Sequence, residues 1–357
     1  MAAVGMNNKA AQKMRVWALL GSHRGDNNQV LALAEALGLP FEEKWLRYNP
    51  LRCLQPKLLG ATLMSVAADA RPQLQGKPPD LTISTGHRTV PVVNALRKRS
   101  GGIMRTVHLG YPRIAPTNFD LVVPTPEYPV PDAPNVYRIP FALSPHGARE
   151  IEQSDRDLLA AYPRPHRLLL IGGPTLYWRL PVDEMVRATR NLVEASRTSG
   201  GSAFAVGSPR SPVDLLDAVR NTLETSSVPF LFAPLEGPPA YPAMVEDADE
   251  IYVTADSVAM VADAVLTGKP VGILPIRTSG LGRVVMAVAD RLRPGKRLFP
   301  RDLRFFWASL EEHGFGGTLD TPLASNPPDF TAEIATLVRQ LFEPLGRQAK
   351  AAHDSDR

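Results

Sequence analysis

The sequence predicts an α/β protein built from two doubly wound sheets. Short apolar strands alternate with amphipathic helices along most of the chain, which is typical of parallel sheets covered by helices. The chain has 357 residues, more than a single domain usually contains. Polar, glycine-bearing loops follow strands in both halves, where open α/β sheets bind ligands. We therefore expect two Rossmann-like domains that face each other across a cleft lined by these loops.

The domain boundaries follow from a linker-like stretch over 144–165 that separates two alternating series. We place the N-terminal domain at 14–147, the C-terminal domain at 160–325 and a last helix at 326–346. The tails 1–13 and 347–357 are polar or charged without apolar periodicity, so we expect them to be disordered.

The first half opens with a strand at 15–20 and a helix at 28–37. The helix shows a stripe of Val30, Leu33 and Leu37 at helical spacing, and Gly38 ends it. A second helix at 91–99 begins with a proline at its first turn. The stretch 50–70 is expected to be helical in part. The remaining strands are expected at 41–46, 81–84, 106–110, 121–123 and 136–139.

The second half repeats the pattern after a short helix at 154–161. Its clearest unit runs from Ile251 to Pro275, where Val258, Val261 and Val265 recur at helical spacing between two apolar strands. Strands are expected at 168–171, 203–206, 229–232, 251–254 and 271–274. Helices are expected at 181–196, 213–223, 281–292, 302–313 and 330–345.

Composition and missing motifs exclude several classes of protein. No apolar run approaches the length of a membrane span, and residues 1–14 lack the apolar segment of a secretory signal. The chain has one cysteine, Cys53, so an intramolecular disulfide is excluded and a reducing cytoplasm is the simplest location. We expect Cys53 to be a small, partly buried residue. Dinucleotide, P-loop, zinc-protease and nucleophile-elbow motifs are absent, which argues against a built-in metal or cofactor.

The net charge of +4 is a mild basic bias. Basic residues cluster at Arg97-Lys98-Arg99 and at Arg291, Arg293, Lys296 and Arg297. We interpret them as helix C-terminal residues that complement the helix dipole. The alternative is attraction to an anionic substrate or membrane surface. No interleaving of aromatic and basic residues indicates nucleic-acid binding.

The first polar loop lies between the first strand and the first helix. It reads Gly21-Ser22-His23-Arg24-Gly25-Asp26-Asn27-Asn28-Gln29. A helix cap by Asp26 or Asn27 would explain one residue of this loop but not the others. We therefore favour a binding role, at a position that suits anions.

The second polar loop, Ser84-Thr85-Gly86-His87-Arg88-Thr89, also joins a strand to a helix. Gly86 permits a positive φ or a close backbone approach. His87 and Arg88 have the chemistry of a base and an anion clamp. A loop histidine is more often an ordinary surface residue, so Arg88 is the stronger candidate.

Two loops of the second half offer phosphate contacts. Paired Gly172 and Gly173 could turn backbone amides toward a phosphate or sugar, although such pairs also mark ordinary turns. Ser208 precedes Arg210, which stands between two prolines and would be displayed with little loss of entropy. A diphosphate and a surface salt bridge are equally good partners for Arg210.

The third such loop holds Thr254, Asp256 and Ser257, at the end of one strand and the start of a helix. Ser257 and the helix amides suit a phosphate. A carboxylate beside a pyrophosphate would repel it, so we expect Asp256 to cap the helix or to hold a ligand hydroxyl. A helix capped by Asp256 or Ser257 with nothing bound is the alternative.

Several of these segments resemble the mitochondrial fission ELM1 family over about 16–319. The most specific segment is V-T-A-D-S-V-A-M-V-A-D-A, followed by T-G-K-P-V. Supporting matches are G-H-R-T-V-P, P-R-I-A-P with F-D-L-V-V-P behind it, I-G-G-P and S-P-R-S-P. Bacterial members are provisionally assigned as glycosyltransferases of GT-B architecture. The resemblance therefore implies two Rossmann-like domains and a last helix that returns to the first domain.

The chain departs from the family pattern at some positions. Family members commonly carry two basic residues where this chain has His87-Arg88 and Pro209-Arg210. Tyr128 stands where a histidine is common, and Asp263 where a glutamate is usual. The departure at His87 argues against a shared catalytic base there. The positions that carry over best are Arg88, Arg210, Asp256 and Ser257.

The resemblance and the loops together predict transfer of a sugar from a nucleotide-sugar donor to a hydroxyl acceptor. We expect this in cell-envelope glycan synthesis, in the cytoplasm or peripherally at the inner face of a membrane, with a glycan or lipid-linked acceptor. Donor-binding candidates are Gly172, Gly173, Ser208, Arg210, Thr254, Asp256 and Ser257. Acceptor-side candidates are Gly25, Asn28, Gln29 and Gly86, and catalytic candidates are His23, His87 and Arg88. The alternatives are a nucleotide-sugar epimerase and a non-catalytic membrane scaffold of the ELM1 type.

Overall fold

The computed structural model describes residues 14–145, 151–233, 237–292 and 301–343, which fall into two compact units. Within these residues, unit 1 comprises 14–139, 143–145 and 329–343, and unit 2 comprises 140–142 and the remainder up to 328.

The strands are β1 (Val16–Leu20), β2 (Phe41–Trp45), β3 (Leu81–Thr85), β4 (Arg105–Leu109), β5 (Leu121–Val123), β6 (His166–Ile171), β7 (Trp178–Arg179), β8 (Ser202–Gly207), β9 (Phe230–Ala233), β10 (Glu250–Thr254), β11 (Pro270–Leu274), β12 (Arg277–Thr278) and β13 (Leu323–Ala324). The α-helices are α1 (Arg24–Ala36), α2 (Pro56–Leu59), α3 (Val90–Arg99), α4 (Gln153–Ala160), α5 (Val182–Ser199), α6 (Val213–Glu224), α7 (Tyr241–Asp247), α8 (Val258–Val265), α9 (Gly280–Leu292), α10 (Leu303–His313) and α11 (Phe330–Gln340).

Unit 1 is built around a five-stranded parallel sheet in the order β2-β1-β3-β4-β5. Alternate residues of β1 belong to two different apolar clusters. Val16, Ala18 and Leu20 pack with α1 and α11, whereas Trp17 and Leu19 pack with α3. Burial on both faces explains why this strand is continuously apolar. The strand order changes direction between β1 and β3, which is the switch point where such sheets bind ligands.

The last helix, α11, belongs to unit 1. Ile334 and Val338 of this helix are buried in the cluster formed by β1 and α1. The Arg339 guanidinium donates from Nη2 to the carbonyl of Ala36 at 2.7 Å, at the C-terminal end of α1. A cation there satisfies an open carbonyl and complements the helix dipole.

Unit 2 contains a six-stranded sheet in the order β13-β11-β10-β6-β8-β9. All neighbours pair in parallel except β13, which runs antiparallel to β11. Here the order reverses between β6 and β10, the second switch point. A separate antiparallel pair joins β7 to β12. The predicted α/β class with two doubly wound, Rossmann-like domains is thus confirmed.

Some local predictions are wrong. Helix α1 begins at Arg24 and not at 28, because the Asn27 side chain pairs with the backbone N–H and C=O of Gly21, both at 2.8 Å, and closes the turn early. Residues 136–139 form only a single bridge, Val122 to Val136, and Pro124 lacks the amide that would extend the ladder.

Cys53 is exposed and not partly buried, since its short 3₁₀ turn, Pro50–Cys53, buries none of its residues. The predictions for tails 1–13 and 347–357, and for Arg293, Lys296 and Arg297, lie outside the described residues. Within the described ranges, no helix is both long and apolar enough to cross a lipid bilayer.

Candidate functional site

The switch point of unit 2 brings together the loops that follow β6 and β10. The amide of Gly172 donates to Thr254 Oγ1 at 2.8 Å, and the amide of Gly173 donates to Asp256 Oδ2 at 2.9 Å. Thr254 is completely buried, and Asp256 is only 1% exposed. These two bonds fasten one loop to the other across the switch point.

The close approach of the loops explains both glycines. A Cβ at Gly172 would lie 2.4 Å from both carboxylate oxygens of Asp256, and a Cβ at Gly173 would lie 2.4 Å from the carbonyl oxygen of Arg210. No side chain fits at either position without a shift of its neighbours. The prediction that these two amides face a phosphate is wrong, because each donates to an acceptor inside the protein.

Arg210 extends over this corner from the loop after β8. Its Nη2 lies 3.4 Å from Asp256 Oδ2, and its Nη1 donates to the Gly173 carbonyl at 3.4 Å. A hydrogen bond fixes this loop to the end of β6, since the Ser211 hydroxyl donates to the Ile171 carbonyl at 2.9 Å. The Ser208 amide in turn donates to Ser211 Oγ at 2.8 Å. Arg210 is thus oriented by long contacts, with 48% of its side chain exposed to an incoming anion.

Asp256 has an unusual electrostatic environment. Burial raises the pKa of its carboxyl above the usual value, while hydrogen bonds from Thr254 and the Gly173 amide and the charges of Arg210 and Arg301 oppose that rise. Its Oδ1 is buried and has no hydrogen-bond partner. A buried acceptor without a partner is costly, so this oxygen is available to a donor group of a ligand.

Asp256 does not cap α8, contrary to one of the two roles predicted for it. Ser257 occupies the N-cap position, and its side chain makes no capping hydrogen bond. The first intrahelical bond runs from the Val261 amide to the Ser257 carbonyl at 3.0 Å. The first turn of α8 therefore lacks a side-chain acceptor for its amides, and a helix start of this kind attracts anions.

The switch point of unit 1 carries the Gly86–Thr89 loop. Gly86 has a φ of +71°, a left-handed conformation that explains the glycine. The Thr89 hydroxyl donates within the loop to the carbonyl of Gly86 at 2.8 Å. His87 and Arg88 are half-buried, and Arg88 Nε is buried without a hydrogen-bond partner.

Two histidines near this loop are neutral at neutral pH. Burial, with smaller effects of Arg113 and Arg88, lowers the pKa of His87 to about 4. Complete burial, with a smaller effect of His87, lowers the pKa of His108 to about 3. The Nδ1 of His108 lies 3.0 Å from Ser84 Oγ on the neighbouring strand, and its Nε2 is buried without a partner.

Sequence reasoning missed three residues of this region. His108 was counted as part of a strand, although a histidine within R-T-V-H-L breaks an apolar strand and could have been noticed. Arg113, in the P-R-I-A-P motif, is the one non-glycine residue with a positive φ in the described ranges, at 59°. The Tyr48 hydroxyl is buried without a partner; burial raises its pKa and the charge of Arg88 opposes the rise. No local signal marked Tyr48.

The first polar loop is shorter than expected. His23 is exposed and occupies the N-cap of α1 without a capping hydrogen bond. Gly25, Asn28 and Gln29 lie in the first turns of α1, where the Gln29 amide group donates to the Gly25 carbonyl at 3.5 Å.

An open groove of about 440 Å³ runs along the C-terminal ends of β1 and β2. It is lined by Gly21, Ser22, Arg24, Asn27, Trp45, Leu46 and Arg47.

Metal binding has no obvious location in the part of the chain that the structure describes. No group of three or more His, Cys, Asp or Glu side chains there is placed to hold an ion.

The chain is similar to several known proteins. The sequence pattern of the family described as "Mitochondrial fission ELM1" matches residues 24–342. The mitochondrial fission protein ELM1 of Arabidopsis thaliana is 23% identical over 324 residues, covering 81% of this chain and 70% of that protein. The UDP-GlcNAc 2-epimerase of Methanocaldococcus jannaschii has a similar fold, with a TM-score of 0.53, 12% identity and coverage of 92% of this chain and 100% of the other. MurG of Acinetobacter baumannii gives a TM-score of 0.44 at 13% identity, over 92% of this chain and 99% of the other.

Proposed function

The chain belongs to the mitochondrial fission ELM1 family, and from this premise we propose that it transfers a sugar from a nucleotide-sugar donor to a hydroxyl acceptor. The observation that carries the proposal is the corner at the switch point of unit 2. There, a partly exposed arginine, an uncapped helix start and a buried carboxylate with one unpartnered oxygen converge. Cations and helix amides suit a diphosphate, and an acceptor oxygen suits a hydroxyl of the ribose or the sugar.

In the proposed reaction, Arg210 and the first amides of α8 bind the diphosphate. Both are fixed before the ligand arrives, so they stabilise the charge that builds up on the leaving group without reorganising. Ser257 lies at the same helix start, and its hydroxyl can donate to a phosphate oxygen. Asp256 accepts from the Gly173 amide and lies beside the Arg210 guanidinium, whose positive charge offsets its own.

The acceptor belongs to unit 1 in this proposal. Arg88 offers a partly buried cation, and His87 is neutral at neutral pH and can accept a proton at a ring nitrogen. A pKa of about 4 makes His87 a weak base, so its role rests on position more than on basicity.

The test is calorimetric titration with UDP, GDP, ADP and dTDP and with their sugar conjugates. Arg210→Ala should weaken binding by about 10- to 100-fold, since a hydrogen bond to a charged group contributes about 1.5–3 kcal/mol. The matched control is Arg197→Ala, which removes an exposed arginine paired with Glu194 on α5 and should leave binding unchanged. A folded protein that binds none of the nucleotides refutes the proposal.

Two other results would replace it with a different function. Conversion of the donor alone, with no acceptor, would identify a nucleotide-sugar epimerase, the activity named for the archaeal protein of similar fold. Full biological function in the Arg210→Ala, Ser257→Ala double variant would indicate a non-catalytic scaffold.

A further inference from the structure

Residues 49–65 of unit 1 form an excursion from the sheet that exposes apolar side chains to water. It follows β2 in the sequence and contains a 3₁₀ turn, Pro50–Cys53, and the single turn of α2. Four of its large apolar residues are exposed: Leu51 is 37% exposed, Leu54 43%, Leu58 76% and Met64 62%. So much apolar surface on one short segment indicates contact with something other than water.

The excursion has an ordered base. The Asn49 side chain donates to the Met64 carbonyl at 2.6 Å and accepts from the Leu51 amide at 3.0 Å, so it ties the two ends together. The Asn49 amide donates to the Ser65 carbonyl at 3.0 Å. Pro56, the first residue of α2, is buried. The exposed leucines are therefore held outward by a fixed scaffold and cannot be explained as a loose end.

The charges on this segment all have one sign. Arg52 and Lys57 are exposed within it, and no acidic residue occurs anywhere between Lys44 and Asp69. Arg47 is not counted with them, because it pairs with Asp69. Trp45, just before the excursion, is 52% exposed, and its indole N–H donates to Glu43 at 2.9 Å.

This combination selects one kind of partner. An apolar surface with basic residues and no acids matches a bilayer whose headgroups are anionic, since leucines enter the acyl boundary while lysine and arginine remain at the headgroups. An exposed tryptophan beside it suits the membrane–water interface. The segment itself carries no acidic residue, so a partner with a negatively charged surface complements it best.

We propose that segment 49–65 docks unit 1 on the surface of a membrane that contains anionic lipid. The inference does not depend on sugar transfer. It places the membrane at the end of β2, beside the open groove that Arg47 and Trp45 help to line.

The single cysteine of the chain provides a direct probe. Cys53 is exposed and lies within the segment. The full chain is labelled at Cys53 with an environment-sensitive fluorophore. It is then mixed with vesicles of phosphatidylcholine alone, or of phosphatidylcholine with about 30% phosphatidylglycerol, which supplies an anionic surface. We expect a blue shift and an intensity gain with the anionic vesicles only, reduced by high salt.

Two double variants complete the test. Leu54→Ser with Leu58→Ser should weaken vesicle binding in a flotation assay by about tenfold or more, because two exposed apolar side chains no longer enter the bilayer. Leu176→Ser with Val213→Ser removes two comparably exposed apolar side chains from separate elements of unit 2 and should leave binding unchanged. Both pairs are exposed, so both variants should fold.

The proposal is overturned if no vesicle composition shifts the Cys53 probe, or if the Leu54, Leu58 variant binds vesicles as well as the parent chain. It is also overturned if the Leu176, Val213 variant alone loses binding. A Cys53 signal that rises with protein concentration in the absence of vesicles would assign the segment to self-association instead.

Discussion

Gly172→Ala tests the central feature of the unit 2 corner, the contact between two loops that leave no room for a side chain. The new methyl group would lie 2.4 Å from both carboxylate oxygens of Asp256. Asp256 is buried and accepts a hydrogen bond from Gly173, so it cannot move without losing that bond. We expect the loops to separate and the carboxylate to lose its donor.

The magnitude follows from two contributions. Overpacking a buried site costs about 1–3 kcal/mol, and leaving a buried polar group without its partner costs about 1–3 kcal/mol more. The free energy of unfolding of unit 2 should therefore fall by about 2–6 kcal/mol. For a domain of this size each kcal/mol lowers Tm by about 2–4 °C, so we expect a decrease of about 4–24 °C.

The assay is thermal and urea unfolding followed by circular dichroism. Gly21→Ala is the matched control, because Gly21 follows the first strand of unit 1 and a Cβ there meets nothing within 4 Å. A double-mutant cycle with Asp256→Ala isolates the clash, which should give a coupling energy of about 1–3 kcal/mol. Additive effects of the two substitutions would refute the account given for Gly172.

Three further predictions concern other parts of the chain. The pKa of His108 is about 3 in the folded state and about 6.5 in the unfolded state, so the unfolded state binds the proton more readily and the protein loses stability as the pH falls below about 6.5. The free energy of unfolding should therefore drop by about 2 kcal/mol between pH 7 and pH 5. His108→Gln should remove this part of the pH dependence, which urea unfolding at each pH measures. Asp256→Asn keeps an oxygen for the Gly173 amide and removes a buried charge, so it should destabilise less than Asp256→Ala in thermal unfolding; equal losses would contradict the role given to this bond. Ile334→Ala in α11 should cost unit 1 about 2–5 kcal/mol, whereas the exposed Thr336→Ala should cost under about 1 kcal/mol, and equal unfolding curves for the two would show that α11 does not stabilise unit 1.

Much of the fold is encoded locally. Apolar strands such as Leu168–Ile171 and the periodic valines of α8 could be assigned from the sequence, because strands buried on both faces and amphipathic helices leave clear patterns. Boundaries were less secure. The start of α1 depended on the Asn27 side chain bonding to Gly21, a choice that no periodicity reveals.

The sequence also located the loops of the candidate site, since glycine and polar residues follow the strands of a parallel sheet. It could not assign their roles. Gly172 and Gly173 were expected to expose amides to a phosphate, but the structure shows that both amides are used by residues more than eighty positions away. Tyr48 was missed for the same reason, because burial of its hydroxyl without a partner is a property of packing.

By itself, then, the sequence determined the α/β class, the order along the chain of most strands and helices and the family to which the chain is related, all of which depend on local pattern and motif. Only the tertiary structure decided that Asp256 fastens two loops, that Arg210 extends over them and that the leucines of segment 49–65 point outward. The physical reason is that the order of strands within each sheet and the burial of side chains are set by contacts between distant residues. These contacts decide which polar groups are satisfied inside the protein and which are available to a ligand.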